Sequence, residues 1–175
     1  MKTRVAARQV EPSPDNYALG YARRCAWIFG SWWYGAILTA SGAAYVLAAT
    51  AAGHHPEVGI VTAAFGLAVA SIGWLASAPK RFTRKRPEPA LDVYRAEQAI
   101  RINPGIVIGS NVLMVVILVA LAFATPRGTA PDVVPILVMM SVFAPMMGIA
   151  LMRIRTFLVN RTARYAHWLA RGATS

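Results

Sequence analysis

A chain of 175 residues is long enough for one domain. Hydrophobic residues make up 57% of it and charged residues only 14%, against about 25% charged in ordinary globular chains. The formal net charge is +11, yet four long segments, at 25–52, 58–78, 105–125 and 133–152, contain no Lys, Arg, Asp, Glu or His. A soluble domain of this size needs polar positions on each helix to face water, so the composition excludes one and indicates helices surrounded by lipid or by other apolar helices.

The lengths of these segments predict helices that cross a membrane. A helix rises about 1.5 Å per residue and the hydrocarbon core is about 30 Å thick, so roughly 20 apolar residues span it. None of the segments shows the strict alternation of a transmembrane strand. The predicted fold is therefore an all-α membrane protein with four transmembrane helices as two antiparallel hairpins, followed by a basic amphipathic cytoplasmic C-terminal helix.

The segment 1–24 is predicted to be a loose cytoplasmic leader, since it is polar and contains two prolines. A cleaved signal peptide is the alternative, but the leader and the apolar run after it are both longer than in an ordinary signal peptide. The single cysteine, Cys25, forms no internal disulfide framework and is interpreted as a small residue at the inner interface.

Glycines recur every seven residues in the first two spans, which together form the first predicted hairpin. Seven residues are about two helical turns, so each set lies on one face and lets another backbone approach closely. We predict that these two faces pack against each other, with a subunit interface as the alternative. The predicted helix-packing residues are Gly35, Gly42, Gly59, Gly66 and Gly73.

The first span is also rich in tryptophan. Trp27 fits an aromatic belt at the inner interface, together with Trp74 of the second span. Trp32 and Trp33 are predicted to lie deeper, where they require either a later start of the span or packing against a neighbouring helix.

The loop 79–104 is the most basic part of the chain and is predicted to be cytoplasmic. Its run Lys80-Arg81-Phe82-Thr83-Arg84-Lys85-Arg86 is typical of the flank that stops translocation. The functional interpretation is that Arg84, Lys85 and Arg86 contact lipid phosphates or a partner. A short helix is predicted at 90–102, before Asn103 and Pro104 begin the third span.

The third and fourth spans contain the only intramembrane features that suggest a polar site. Asn111 can form a hydrogen bond across helices or line a pathway, and Pro145 is expected to kink the fourth span and free a carbonyl group. The possible intramembrane polar site consists of Ser110, Asn111, Ser141 and Pro145. Methionines surround Pro145; adaptable packing explains them better than binding of a soft metal, because no His or Cys accompanies them in the membrane.

The tail 153–175 is predicted to be an amphipathic cytoplasmic segment with a helix at 153–171. One face is apolar and includes Phe157 and Trp168, and the other is basic and includes Arg164. We expect these three residues to contact lipid head groups or another protein.

The distribution of basic residues predicts the orientation. Five Lys and Arg lie in the leader, seven in the 79–104 loop and five in the tail, whereas Arg127 alone lies on the opposite side of a four-span topology. Basic residues are retained in the cytoplasm. The protein is therefore predicted to be a multi-pass protein of a cell membrane, the plasma or inner membrane, with both termini cytoplasmic, and the abundance of Arg and Ala suggests a bacterial source. These charges suit anionic head groups better than nucleic acid.

The sequence does not identify a specific activity. It contains no phosphate-binding glycine loop, paired carboxylates, CxxC or HExxH motif, so we predict a non-catalytic protein with no catalytic residues, no cofactor and no metal site. The expected partners are membrane lipids, including anionic head groups, and other membrane protein subunits or the chain itself, and no nucleic acid. The leading hypothesis is an accessory or structural subunit of a membrane protein complex. The alternative is a small homo-oligomeric channel, pore or carrier.

Overall fold

A computed structural model describes residues 13–82, 85–101, 103–124 and 133–173. Within these residues the regular structure is entirely helical, which confirms the all-α class for the part of the chain described. The helices are α1 (Pro14–Ala51), α2 (Glu57–Phe82), α3 (Val93–Ile100), α4 (Pro104–Ala124), α5 (Val133–Val159) and α6 (Arg161–Ala173).

The helices α1, α2, α4 and α5 are long and apolar enough to cross a membrane, as the sequence predicts. Three of them extend well beyond the predicted spans: α1 begins at residue 14 rather than 25, α2 ends at residue 82 rather than 78, and α5 ends at residue 159 rather than 152. The 38 residues of α1 correspond to about 57 Å, well over the thickness of the hydrocarbon core. These extensions carry charged residues, so they lie beyond the apolar segments.

The four long helices form a single row in the order α2, α1, α5, α4. Among the described residues, α1 contacts α2 on one side and α5 on the other, while α4 contacts α5 alone of the long helices. Neither end helix reaches the other, so the row stays open. The end helix α4 has no buried residue in this part of the chain.

The glycine faces of α1 and α2 meet in a close backbone-to-backbone contact. A Cβ atom added to Gly42 would lie 2.5 Å from the backbone nitrogen of Ala63 and 2.7 Å from the carbonyl oxygen of Gly59. Residue numbers fall on α2 as they rise on α1, so the two helices run in opposite directions. The predicted residues Gly35, Gly42, Gly59, Gly66 and Gly73 all lie here, each so close to the facing helix that an added Cβ would collide with it.

Aromatic residues of α1 join the row at its centre. Trp33 donates a hydrogen bond from its indole nitrogen to the carbonyl oxygen of Met146 on α5, at 3.2 Å. Trp32 packs edge-on against Trp74 of α2, with 6.2 Å between ring centres. The deep tryptophans therefore pack on neighbouring helices, one on each side of α1.

The elements outside the apolar segments gather at one end of the row and form what we call the cap: residues 14–24 of α1, residues 85–101, and α6. The backbone nitrogen of Ala90 donates to the carbonyl oxygen of Asn16 at 2.9 Å. The guanidinium of Arg161 donates two hydrogen bonds to the carboxylate of Asp15, at 2.8 and 3.0 Å. The tail is not one helix from 153 to 171, because α5 ends at Val159 and a turn at Asn160 separates it from α6.

Candidate lipid- and partner-contact sites

The residues of the possible intramembrane polar site do not converge in one copy of the chain. Ser110 is exposed on α4 and donates to the carbonyl oxygen of Val107 in its own helix, at 3.1 Å. Ser141 likewise donates to carbonyl groups of its own helix. Gly148 of α5 faces Asn111, and Ser141 lies seven residues before it. About 10 Å along the helix axis therefore separates Ser141 from the position that faces Asn111.

Asn111 is the polar residue that reaches across the contact between α4 and α5. Its amide nitrogen donates to the carbonyl oxygen of Val107 at 2.8 Å. A Cβ added to Gly148 of α5 would lie only 2.8 Å from the same nitrogen, so the glycine makes room for the amide. Asn111 therefore acts as a packing residue in this contact.

An apolar groove of about 670 Å³ lies between α4 and α5. Asn111 and Pro145 both line it, Arg153 and Thr156 lie towards the cap end of α5, and the remaining surface is aliphatic. The helix α5 continues through Pro145 without interruption. Because the groove is open along one side, lipid chains or side chains of another helix can fill it.

The apolar residues predicted to contact lipid or a partner from the tail are packed against α1 instead. Phe157 is 7% exposed and lies 6.1 Å from Phe29, measured between ring centres. Trp168 lies 5.9 Å from Tyr21 and stacks on Tyr165. Phe157 packs on Phe29 within the apolar segment of α1, whereas Trp168 reaches Tyr21 because α1 extends beyond that segment.

The basic residues of the tail cover this aromatic cluster. The guanidinium of Arg164 lies over the Phe157 ring at 4.9 Å, and that of Arg153 lies 5.7 Å from the same ring. Such contacts allow a cation to shield an apolar ring while its N–H groups remain available to solvent or anions.

Asp15 and Arg161 join α1 and α6 within the cap through a partly buried ion pair. The Arg161 side chain is 15% exposed and that of Asp15 35%. The hydrogen bonds from Arg161 hold the pKa of the Asp15 carboxyl below its usual value. Asp15 lies ten residues before the apolar segment, so this pair belongs to the aqueous side of the molecule.

A basic cleft of about 520 Å³ lies between α1, the end of α2 and the segment 85–90. Of the residues proposed as lipid or partner contacts, Lys85 and Arg86 line it, whereas Arg84 lies outside the described residues. We refer to this cavity as the basic cleft. Its charged and aromatic lining consists of Arg23, Arg24, Trp27, Lys80, Lys85, Arg86 and Glu88.

The segment 85–90 forms one wall of the basic cleft, and contacts with α1 and α6 hold it in place. Arg24 donates two hydrogen bonds to the carbonyl oxygen of Lys85, both at 3.2 Å. Arg86 donates to the hydroxyl of Tyr165 at 3.3 Å and lies over the ring of Tyr17. Gly20 lets the segment approach, because a Cβ there would collide with the carbonyl oxygen of Glu88.

The sequence did not indicate the contribution of α1 to this cleft. Arg23 and Arg24 read as part of a leader, and their proximity to Lys80 and Lys85 depends on contacts across about 60 positions of chain. The available signal was the Arg-Arg pair immediately before the first apolar segment, with Trp27 one turn further on.

Within the described residues no group of three or more His, Cys, Asp and Glu side chains is placed to hold a metal ion. Comparisons of the chain with protein-family models, with curated proteins and with solved structures found no match.

Proposed function

We propose that this chain is a non-catalytic accessory or structural subunit of a membrane protein complex in the cell membrane. The observation that supports this most is the open row of membrane helices. A row has two end helices and two broad faces, and none of these surfaces is closed by the chain itself in the part described. The proposal gives these surfaces a use as contacts with other subunits.

We infer that α4 is the main contact. It buries no residue, and the groove beside it can accept side chains of another helix. Close packing and shape complementarity drive helix association in membranes, because lipid chains are as apolar as the side chains they replace. The exposed end helix α4 and the groove beside it offer a surface for close packing and a shape that a second helix can complement.

The topology proposed here keeps two antiparallel hairpins, α1 with α2 and α4 with α5, and places the cap in the cytoplasm. The basic cap then meets the anionic leaflet, where each basic residue contributes about 1 kcal/mol of attraction. The cap would also fix the arrangement of the row, since its helices α3 and α6 both contact α1 and α5, the two inner helices.

The mass of the complex extracted in mild detergent tests this proposal. We expect the tagged chain to purify with other membrane proteins. Leu113→Trp on α4 should reduce that association, while Leu67→Trp on α2 should not; both leucines are about 60% exposed, so neither change disturbs the chain's own packing. A purely monomeric wild-type protein would contradict the proposal. A homo-oligomer that passes ions or solutes in liposomes would establish the channel or carrier instead.

A further inference from the structure

We propose that the basic cleft binds the phosphate group of an anionic phospholipid, whose acyl chains remain in the bilayer. This inference rests on the membrane placement in the proposed function but not on the identity of any partner. Three observations carry it: an excess of positive charge, side chains that are held in position, and the level of the cleft relative to the apolar segments.

The lining of the cleft carries more positive than negative charge. Five of its residues are basic, and Glu88 is the one acidic residue that lines it in the described chain. Asp92 lies close by but approaches Arg23 only at 3.5 Å, with both side chains about half exposed. An excess of cations around one cavity is stabilised when an anion enters, and a phosphate oxygen accepts the charge-assisted hydrogen bonds that guanidinium and ammonium groups donate.

Three of the five cations are held in place before any ligand arrives. Arg24 is fixed by the Lys85 carbonyl, Arg86 by Tyr165, and the amino group of Lys80 lies 3.6 Å from the centre of the Trp27 ring. The arginines retain further N–H groups, since a guanidinium has five. A site whose side chains are already ordered loses less conformational entropy on binding than a cluster of free surface side chains.

The position of the cleft favours a lipid over a soluble phosphate. Trp27 lines the cleft and is 46% exposed. Arg81 lies just beyond the end of the apolar part of α2. Its guanidinium is 3.4 Å from the ring centre of Trp74. Tryptophan rings and basic side chains occupy the head-group level of a bilayer, which is where lipid phosphates lie.

Native mass spectrometry of the full chain in detergent micelles, titrated with phosphatidylglycerol and with phosphatidylcholine, tests the proposal. We expect the wild type to prefer phosphatidylglycerol. The variant R23Q/K80Q removes two cleft charges that do not anchor the wall, and should weaken binding of that lipid by about 30-fold, at about fivefold for each charge. Equal lipid preference in this variant and the wild type would overturn the proposal.

Two further variants separate charge in the cleft from other causes. R23K/K80R keeps both charges and should keep the preference, which shows that a loss in R23Q/K80Q does not come from misfolding. R101Q/R171Q removes the same number of charges from the cap away from the cleft and should cost about twofold or less. A loss in the control as large as in R23Q/K80Q would mean that total charge attracts lipid, and would contradict a defined site.

Competition identifies the source of the phosphate. Inorganic phosphate and glycerol phosphate should displace phosphatidylglycerol only at concentrations far above that of the lipid. If either displaces it at an equal concentration, the cleft is a site for soluble phosphates and the lipid proposal is wrong.

If R23Q/K80Q keeps its lipid preference but loses a co-purifying protein, the cleft binds an acidic segment of that protein instead. The purified chain binds lipid or fails to do so whether or not it has partners, so this result and that of the proposed function can be told apart.

Discussion

Individual polar residues tie the central helix to both of its neighbours. The Ser31 hydroxyl donates to the carbonyl oxygen of Gly73 on α2 at 3.1 Å, and the Trp33 indole donates to Met146 on α5. Bonds of this kind contribute roughly 0.6–2 kcal/mol between membrane helices. They show how a tryptophan can lie below the aromatic belt, since its one polar group finds an acceptor in the adjacent helix.

The Asp15–Arg161 pair gives the first prediction, and it concerns the cap. Asp15→Asn should lower the free energy of unfolding of the cap by about 1 kcal/mol, because a two-bond contact with limited exposure is lost. Asp92→Asn is the matched control, since Asp92 makes one long contact with Arg23 and both are about half exposed. Hydrogen exchange of α6 amides measures the effect. Equal protection in the two variants would contradict the assignment.

The same pair makes the stability of the cap depend on pH in a defined direction. Because the pKa of Asp15 is lower in the folded chain, the carboxylate stabilises the fold fully above its unfolded pKa, near the ordinary value of 3.8. That contribution is lost as the pH falls through the lowered folded pKa. The difference in protection between wild type and Asp15→Asn should therefore be constant at neutral pH and shrink in this acidic window.

At the scale of secondary-structure elements, the α1–α2 contact depends on the absence of side chains at the glycines. Gly66→Leu should destabilise the bundle by about 3 kcal/mol, at the upper end for overpacking. A Cβ there would meet backbone atoms of Gly35, Leu38 and Thr39, which cannot rotate away. Gly109→Leu is the control, because a Cβ at that position meets no described atom within 4 Å apart from the neighbouring backbone of its own helix. Thermal unfolding in detergent compares the two, and an equal loss in both would refute the packing role.

The sequence predicted the long helices well because their signal is local. Charge-free segments of about 20 residues specify a membrane helix without reference to the rest of the chain. The short helix expected at 90–102 also has a local signal in the sequence, and it appears at Val93–Ile100. The start of α1 and the ends of α2 and α5 were missed, since those helices continue into charged residues beyond the apolar segments.

The cap and the basic cleft could not be predicted because they depend on contacts between distant parts of the chain. The tail residues Phe157 and Trp168 have the composition of a partner-binding face, and only the structure shows that Phe29 and Tyr21 of α1 pack against them. Likewise, the role of the missing side chain at Gly20 is seen only in the structure, where the backbone of Glu88 packs against that position. Periodicity identifies an apolar face, but it does not identify the surface that covers it.

At the scale of the whole molecule, the four long helices form a row that does not close on itself in the described residues. Helices that enclose a passage must form a closed ring, and here α2 and α4 lie at opposite ends. Ser110 and Ser141 donate to their own helices and do not face a common space. A channel would therefore need several copies, whereas an accessory subunit needs only one row with a free edge.

The last prediction concerns the orientation of the molecule in the membrane. The cap joins the α1 extension, the segment after α2 and α6 at one end of the row, so these parts lie on the same side of the membrane. Seventeen of the eighteen basic residues belong to that side in the four-span topology, and basic segments are retained in the cytoplasm.

In a Cys25→Ala background, a membrane-impermeant thiol reagent should label His55→Cys in intact cells. It should label Gln98→Cys and Ala163→Cys only after permeabilisation; all three positions are exposed, so access to the reagent depends on the side of the membrane. Labelling of Gln98→Cys and Ala163→Cys in intact cells, with His55→Cys protected, would reverse the topology and place the basic cleft on the outer leaflet.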